Sequence, residues 1–264
     1  MYVDTHTHLD LDHFPDVESV IESAHAAGVD RIINIGFGPE RWQSTIELAR
    51  RFPAVSFTLG FHPGDSGRFN NESKAELIEL IERTEPVGIG EAGIDLHWPD
   101  NPPLALQRDV FAFQIDLAIE YDLPLVIHQR AADAEVYEQL RATDPALRVV
   151  LHSFDGSEKT LRLAIERGWF IGVGGLMTRR RASVRRLLET VPLDRVILET
   201  DSPFLVPAGL QERRNTPATI PVISERFASL RGLTEVTVRE ATTQNSFMSF
   251  PRLNVMSSVA GERS

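Results

Sequence analysis

Eight short apolar runs alternate with longer stretches of helical period, and that alternation limits the chain to few architectures. The runs are YVDTH (2–6), RIINIG (31–36), VSFTLG (55–60), PVGIGE (86–91), PLVIHQ (124–129), VVLHSF (149–154), FIGVGG (170–175) and VILETD (196–201). Most read as continuous apolar segments without polar alternation, the pattern of strands buried on both faces of a parallel sheet. Helices are expected at 15–27, 39–51, 71–83, 104–121, 132–142, 157–167 and 181–190, and the tail adds two more at 217–230 and 234–247. The expected fold class is α/β, a single TIM (β/α)8 barrel in one domain spanning 1–264. Alternation alone fits a doubly wound open sheet as well. The length of 264 residues is that of one barrel, and no repeat, low-complexity tract or Pro/Gly-rich linker divides the chain.

Composition narrows the chemistry. The chain has no cysteine, so disulfides, thiolate metal sites and cysteine nucleophiles are excluded. Any metal must be held by imidazole and carboxylate, a donor set suited to Mg, Mn or Zn. A net charge of −11 argues against a broad basic face for nucleic acid. It leaves a phosphate substrate open, because bound divalent ions reverse the sign locally. No apolar stretch is long enough to span a bilayer, and the start MYVDTHTHLD lacks the basic and apolar parts of a signal peptide. The expected location is cytoplasmic, with no membrane contact, and no protein partner can be read.

Several of the runs end on metal-ligand residue types. His6 closes the first, with His8 just beyond; Glu91 closes the fourth; His128 and His152 lie near the ends of the fifth and sixth; Asp201 closes the eighth. In a barrel the C-terminal strand ends meet at one mouth, where active sites are built. Taken singly, His6 and His8 fit a surface turn, Glu91 a solvated strand end, and His128 or His152 a core histidine bonded to backbone. Their coincidence at one end of a barrel argues for a metal site. Glu91, midway round the ring, is the natural carboxylate bridge between two cations. A carboxylated lysine is excluded from that role, since the only lysines, Lys74 and Lys159, fall in expected helices. Asp201 is suited to orient or deprotonate an activated water.

The motifs DTHTHLD (4–10), GFHP (60–63), GEAGID (90–95), LPLVIHQR (123–130), HSFDG (152–156), LETDSPFL (198–205), RNTP (214–217) and ATTQN (241–245) resemble those of the TatD-type metal-dependent deoxyribonucleases. They run in order along nearly the whole chain. The resemblance implies a barrel of the amidohydrolase superfamily, two divalent metal ions or three, and hydrolysis of phosphodiester bonds in DNA, in single strands or from 3′ ends. It implies that His6, His8, Glu91 and Asp201 hold one metal and Glu91, His128 and His152 the other. It also gives His62 a contact to substrate phosphate or to an extra metal; the other reading of His62 is a loop residue fixing the turn before Pro63.

Departures from the family pattern fall outside these ligands: Leu96 precedes His97 and Trp98 where an aromatic is usual, and Ser153 follows His152. The loop LMTRRRAS (176–183) holds Arg179, Arg180 and Arg181, the densest positive run in the chain. Arg179 and Arg180 are expected to grip backbone phosphate, as is Arg130 beyond the fifth-strand histidine. Trp98 is expected to stack on bases, Phe204 to pack inside, and Arg214 and Asn215 to fix the loop after the eighth strand. The expected mechanism is in-line attack on phosphorus by a cation-activated water, with Asp201 accepting the proton. The competing reading keeps barrel and metals but takes a small carbonyl substrate, as an amidohydrolase or lactonase. A catalytically dead scaffold is disfavoured, since all six ligand types are present.

Overall fold

The computed structural model describes residues 1–179 and 182–253. Eight strands form one parallel sheet in sequence order: β1 (Tyr2–Thr7), β2 (Val29–Gly36), β3 (Val55–Leu59), β4 (Gly88–Asp95), β5 (Leu125–Arg130), β6 (Val149–Leu151), β7 (Phe170–Val173) and β8 (Val196–Leu198). Bonds between the two ends of the sheet bring it round on itself. His8 N donates to Ser202 O at 2.7 Å, and Asp201 N donates to His6 O at 2.9 Å. The TIM barrel is therefore the architecture, and the open sheet is excluded.

Helices α1 (Val17–Ala26), α2 (Pro39–Arg51), α3 (Asn71–Thr84), α4 (Leu104–Glu120), α5 (Asp133–Leu140), α6 (Glu158–Glu166), α7 (Ala182–Thr190), α8 (Ile220–Arg231) and α9 (Glu235–Ser249) fall within a few residues of the expected segments. Their starts are set by local chemistry. Asp16, Asn70, Ser157 and Thr234 accept backbone N–H bonds as N-caps, and Pro39 opens α2. The largest core cluster includes Trp42, Phe61, Phe111, Trp169 and Phe227 from helices and loops, against strand residues such as Ile32, Leu59 and Ile127. A smaller cluster fills the inside of the ring: Val3, Ile33, Ile35, Val126, Val150, Phe170 and Ile197, with Phe250 and Leu253 from the C-terminal end. Alternation along a strand puts His128 on the same side as Val126, so the lining of the ring turns from apolar to ligating within two residues.

Three strand ends lie three or more residues from their expected positions. β4 runs on to Asp95, so Glu91 lies within the strand, at an irregularity in its pairing with β5 between Ile89 and Ala92. β6 stops at Leu151 and β8 at Leu198, which leaves His152 and Asp201 on the loops just beyond. Gly93, at φ +142°, lies opposite His128 in the register, and a Cβ there would come within 2.0 Å of the His128 carbonyl oxygen. Only glycine allows β4 and β5 to approach this closely beside the site.

At the opposite end, the Tyr2 hydroxyl donates to Glu235 at the start of α9. Burial raises the Tyr2 pKa, and the hydrogen bond and charge of Glu235 add to this, to about 12. A folded-state pKa above the unfolded one gives stability that is whole below pH ~10 and is lost as pH rises toward 12. Tyr2→Phe is expected to cost about 1 kcal/mol at neutral pH and to flatten this alkaline loss. Denaturant titrations at neutral and alkaline pH read both effects; parallel pH profiles for the two proteins would refute the linkage.

Candidate metal centre

Four histidines and two carboxylates converge at the mouth of the barrel. His6 is on β1 and His8 just past it, Glu91 is on β4, His128 on β5, and His152 and Asp201 follow β6 and β8. The two oxygens of Glu91 divide the histidines. Oε2 lies 3.5 Å from His6 Nε2 and 3.9 Å from His8 Nε2. Oε1 lies 2.7 Å from His128 Nδ1 and 3.8 Å from His152 Nε2. Asp201 Oδ1 stands on the first side, 3.3 Å from His8 Nε2 and 3.9 Å from His6 Nε2. The His6 and His152 rings stack at 3.5 Å between centroids, which joins the two sides.

The donor set fits divalent cations. Neither ring nitrogen of His6 makes a hydrogen bond, nor does Nδ1 of His8, and all are buried. Leaving a buried polar atom unmatched costs about 1–3 kcal/mol, a penalty that coordination by a cation would relieve. Three triads each bring one ligand atom per residue within 4.8 Å of the others: His6–His8–Glu91, His6–His152–Asp201 and His62–Glu91–His128. Burial acts to raise the Glu91 pKa, but the charge of His6 and the bonding of His128 outweigh it and hold the carboxyl well below its usual range. Asp201 is likewise lowered against burial, chiefly by its bond to His8. Both carboxylates are thus ionised at neutral pH. The His62 pKa is also lowered, to about 3, first by burial and then by the charge of the neighbouring His128.

A second set of side chains holds the first, and the sequence reading assigned none of it. Asp95 Oδ2 lies 3.1 Å from His128 Nε2, and Glu199 Oε1 lies 3.1 Å from His152 Nδ1. Both are carboxylates on the far side of a ligand-type imidazole, the arrangement that fixes tautomer and ring orientation in metal sites. Glu199 fits because residue 172 is glycine: a Cβ there would fall 2.3 Å from Glu199 Oε2. Asp4, fully buried, accepts from His6 N and from both the backbone and hydroxyl of Thr200, tying the β1 loop to the loop bearing Asp201. Two buried glutamines on α4 act as backbone clamps. Gln107 bonds N–H and C=O of Asp95, and Gln114 bonds N–H and C=O of Phe61, next to His62. Their spacing of seven residues on a buried helix face was the available signal, since a polar residue on such a face needs a partner.

A cleft of about 620 Å³ opens above the centre, lined among others by His8, His62, Glu91, His128, Arg130, His152 and Asp201. His62 sits at its edge, with Nδ1 accepting from Gly64 N at 3.0 Å and its ring 4.4 Å from that of His128. Trp98 and Phe204 also line the cleft, 54% and 46% exposed. For Phe204 this corrects the expectation of internal packing: a turn closed by Phe204 N and Asp201 O lifts the ring to the surface, against His13. The Arg130 guanidinium lies over the Trp98 ring at 5.2 Å. Arg179 is exposed on the turn after β7 and is not among the residues that line this cleft, and Arg180 lies outside the described residues. Arg214 donates to the His13 carbonyl and Asn215 to Thr200 O, so both fix the loop after β8. Lys74 and Lys159 lie on α3 and α6, over aromatic rings and away from the centre.

Comparison with known proteins matches residues 3–251 to the family described as TatD related DNase. The metal-dependent hydrolase YabD of Bacillus subtilis is 34% identical over 249 residues, 93% of this chain and 97% of that protein. The 3′-5′ ssDNA/RNA exonuclease TatD of Cronobacter sakazakii is 35% identical over 246 residues, 89% of this chain and 91% of its own length. Among solved structures, the TatD homologue YJJV of Escherichia coli superposes with a TM-score of 0.89 at 31% identity, covering 95% of this chain and 98% of that one.

Proposed function

The chain belongs to the TatD related DNase family of metal-dependent hydrolases, and from that premise we propose that it removes nucleotides from the 3′ ends of single-stranded DNA or RNA. The observation that carries the reading is the division of four histidines between the two oxygens of Glu91. On this reading His6, His8, Glu91 and Asp201 hold one divalent cation and Glu91, His128 and His152 a second, drawn from Mg, Mn or Zn. The cations would supply acidification of the attacking water and neutralisation of charge on the phosphoryl oxygens.

The rest of the chemistry falls to the chain's own groups. Asp201, ionised and beside His8, accepts the proton of the attacking water. Asp95 and Glu199 keep His128 and His152 turned toward Glu91. Arg130 binds the scissile phosphate from the cleft wall, and His62 contacts the same group from the other side. Trp98 and Phe204 are exposed rings at the rim, and a base stacked on such a ring gains about 1–3 kcal/mol. Stacking needs an unpaired base, which favours single strands over duplex. Arg179, exposed on the turn after β7, grips phosphate further along the strand. The protein acts as one barrel domain in the cytoplasm.

The test pairs metal analysis with cleavage. Metal-loaded protein is expected to release the terminal nucleotide of a 3′-labelled single strand first, and to leave a 5′ label on progressively shorter products. Failure to cleave any DNA or RNA strand, or turnover of a lactone or amide panel in its place, would overturn the reading.

A further inference from the structure

Outside the mouth, arginines from two helices line one cleft, and no carboxylate is among the described residues that bound it. The cleft, about 430 Å³, is bounded by Met177, Thr178, Arg185, Arg226, Ser229 and Leu230. Arg226, half-buried on α8, has Nη1 committed to the carbonyl of Ala208 at 2.6 Å, which leaves the rest of its guanidinium toward the cavity. Arg185 is exposed on α7 and has no ion-pair partner among the described residues. Two like charges lining one cavity repel, and in a chain of net charge −11 carboxylates were plentiful for pairing them. The partner that relieves the repulsion is an anion from outside. Guanidinium forks match the oxygens of phosphate, and the Ser229 hydroxyl adds a neutral donor.

The position of the cleft says which phosphate. Its wall is the turn after β7, and that turn is shared with the metal centre. Leu176 lines the neighbouring hollow that contains His152 and Asp201, while Met177 and Thr178 face the arginines. The wall is braced on the loop after β8. Ala208 N donates to Thr178 Oγ1 at 2.7 Å, and Gly175 sits so close to Leu205 that a Cβ would come 1.8 Å from its carbonyl oxygen. Both clefts thus flank one partition. We propose that the Arg185–Arg226 cleft is a second phosphate site, which holds a backbone phosphate of the substrate strand remote from the bond being cut. This rests on the nuclease reading above, and it assigns the arginines a role in strand length preference and not in the chemistry.

The experiment compares Arg185→Glu and Arg185→Lys with wild type in binding of single strands of about 12 nucleotides, the scale of single-strand channels, and of a dinucleotide. For Arg185→Glu the affinity for the long strand is expected to fall about 10-fold, and its salt slope by about 0.7 for one lost phosphate contact. Arg185→Lys is expected to retain the salt slope. The dinucleotide, too short to leave the mouth, is the internal reference. Equal losses for long and short strands, or an unchanged salt slope, would overturn the proposal, as would weaker binding of inorganic phosphate with no effect of strand length. If the wild type cleaves strands from the 3′ end and Arg185→Glu still binds long strands normally, this second site fails while the nuclease reading stands. If no strand is bound or cut, both fail.

Discussion

Asp201→Asn is expected to lower kcat by about 10²–10⁴-fold, the usual effect of removing a proton acceptor. Asparagine keeps the shape of the side chain and one acceptor oxygen, so the bond network around it is nearly preserved. Assays at saturating metal offset its weaker hold on the cation, and what it then loses is the negative charge held against burial by His8 and the capacity to take a proton. The pH dependence of kcat separates that role from a structural one. In the wild type, activity is expected to fall on the acid side as Asp201 is protonated, and its lowered pKa puts that fall below the ordinary carboxylate range. The asparagine variant is expected to lose this acid limb while keeping its melting temperature. Near-wild-type turnover, or an acid limb that persists, would remove Asp201 from proton transfer.

The barrel itself was legible because its code is coarse. Apolar runs such as VVLHSF and FIGVGG need burial on both faces, and intervening amphipathic segments cover them. The six ligand-type residues were legible for a related reason: a histidine or acid closing a buried strand is conspicuous. Glu91 departs from that rule. A charged residue in an apolar run reads as the end of the strand, but this one is buried at 4% exposure among four histidines, and β4 continues through Ala92 to Asp95. Asp95 and Glu199 were hidden by their neighbours. Each lies close to a more conspicuous acid, and only the register, which sets Gly93 against His128, shows which imidazole Asp95 supports. For Phe204, hydrophobicity predicts burial, while the turn geometry at Asp201 decides exposure. The arginine cleft is not legible in the sequence, since Arg185 and Arg226, 41 residues apart, come to line one cavity only in the folded chain.

Glu91→Gln tests the centre at the point where its geometry is least replaceable. Glu91 presents Oε2 to His6 and His8 and Oε1 to His128 and His152, so its two oxygens serve both sides of the centre. Glutamine preserves the length but turns one oxygen into an NH2 group, a donor that repels a cation and faces His128 Nδ1 or His6 Nε2 according to its rotamer. One cation site is then lost and the other weakened. Metal content is expected to drop from two ions per chain toward one, and affinity for the remaining ion to fall by more than the ~10–100-fold that loss of an outer carboxylate costs. Glu199→Gln supplies that comparison, because the Glu199 carboxylate accepts from the Ser153 amide and lies beside His152 Nδ1, outside the proposed ligand set, and should leave stoichiometry intact. Calorimetric titration with Mn or Zn reads both variants without reference to activity. Two ions bound with wild-type affinity in Glu91→Gln would show that the carboxylate does not bridge, and the division of the histidines would then be a matter of hydrogen bonding alone.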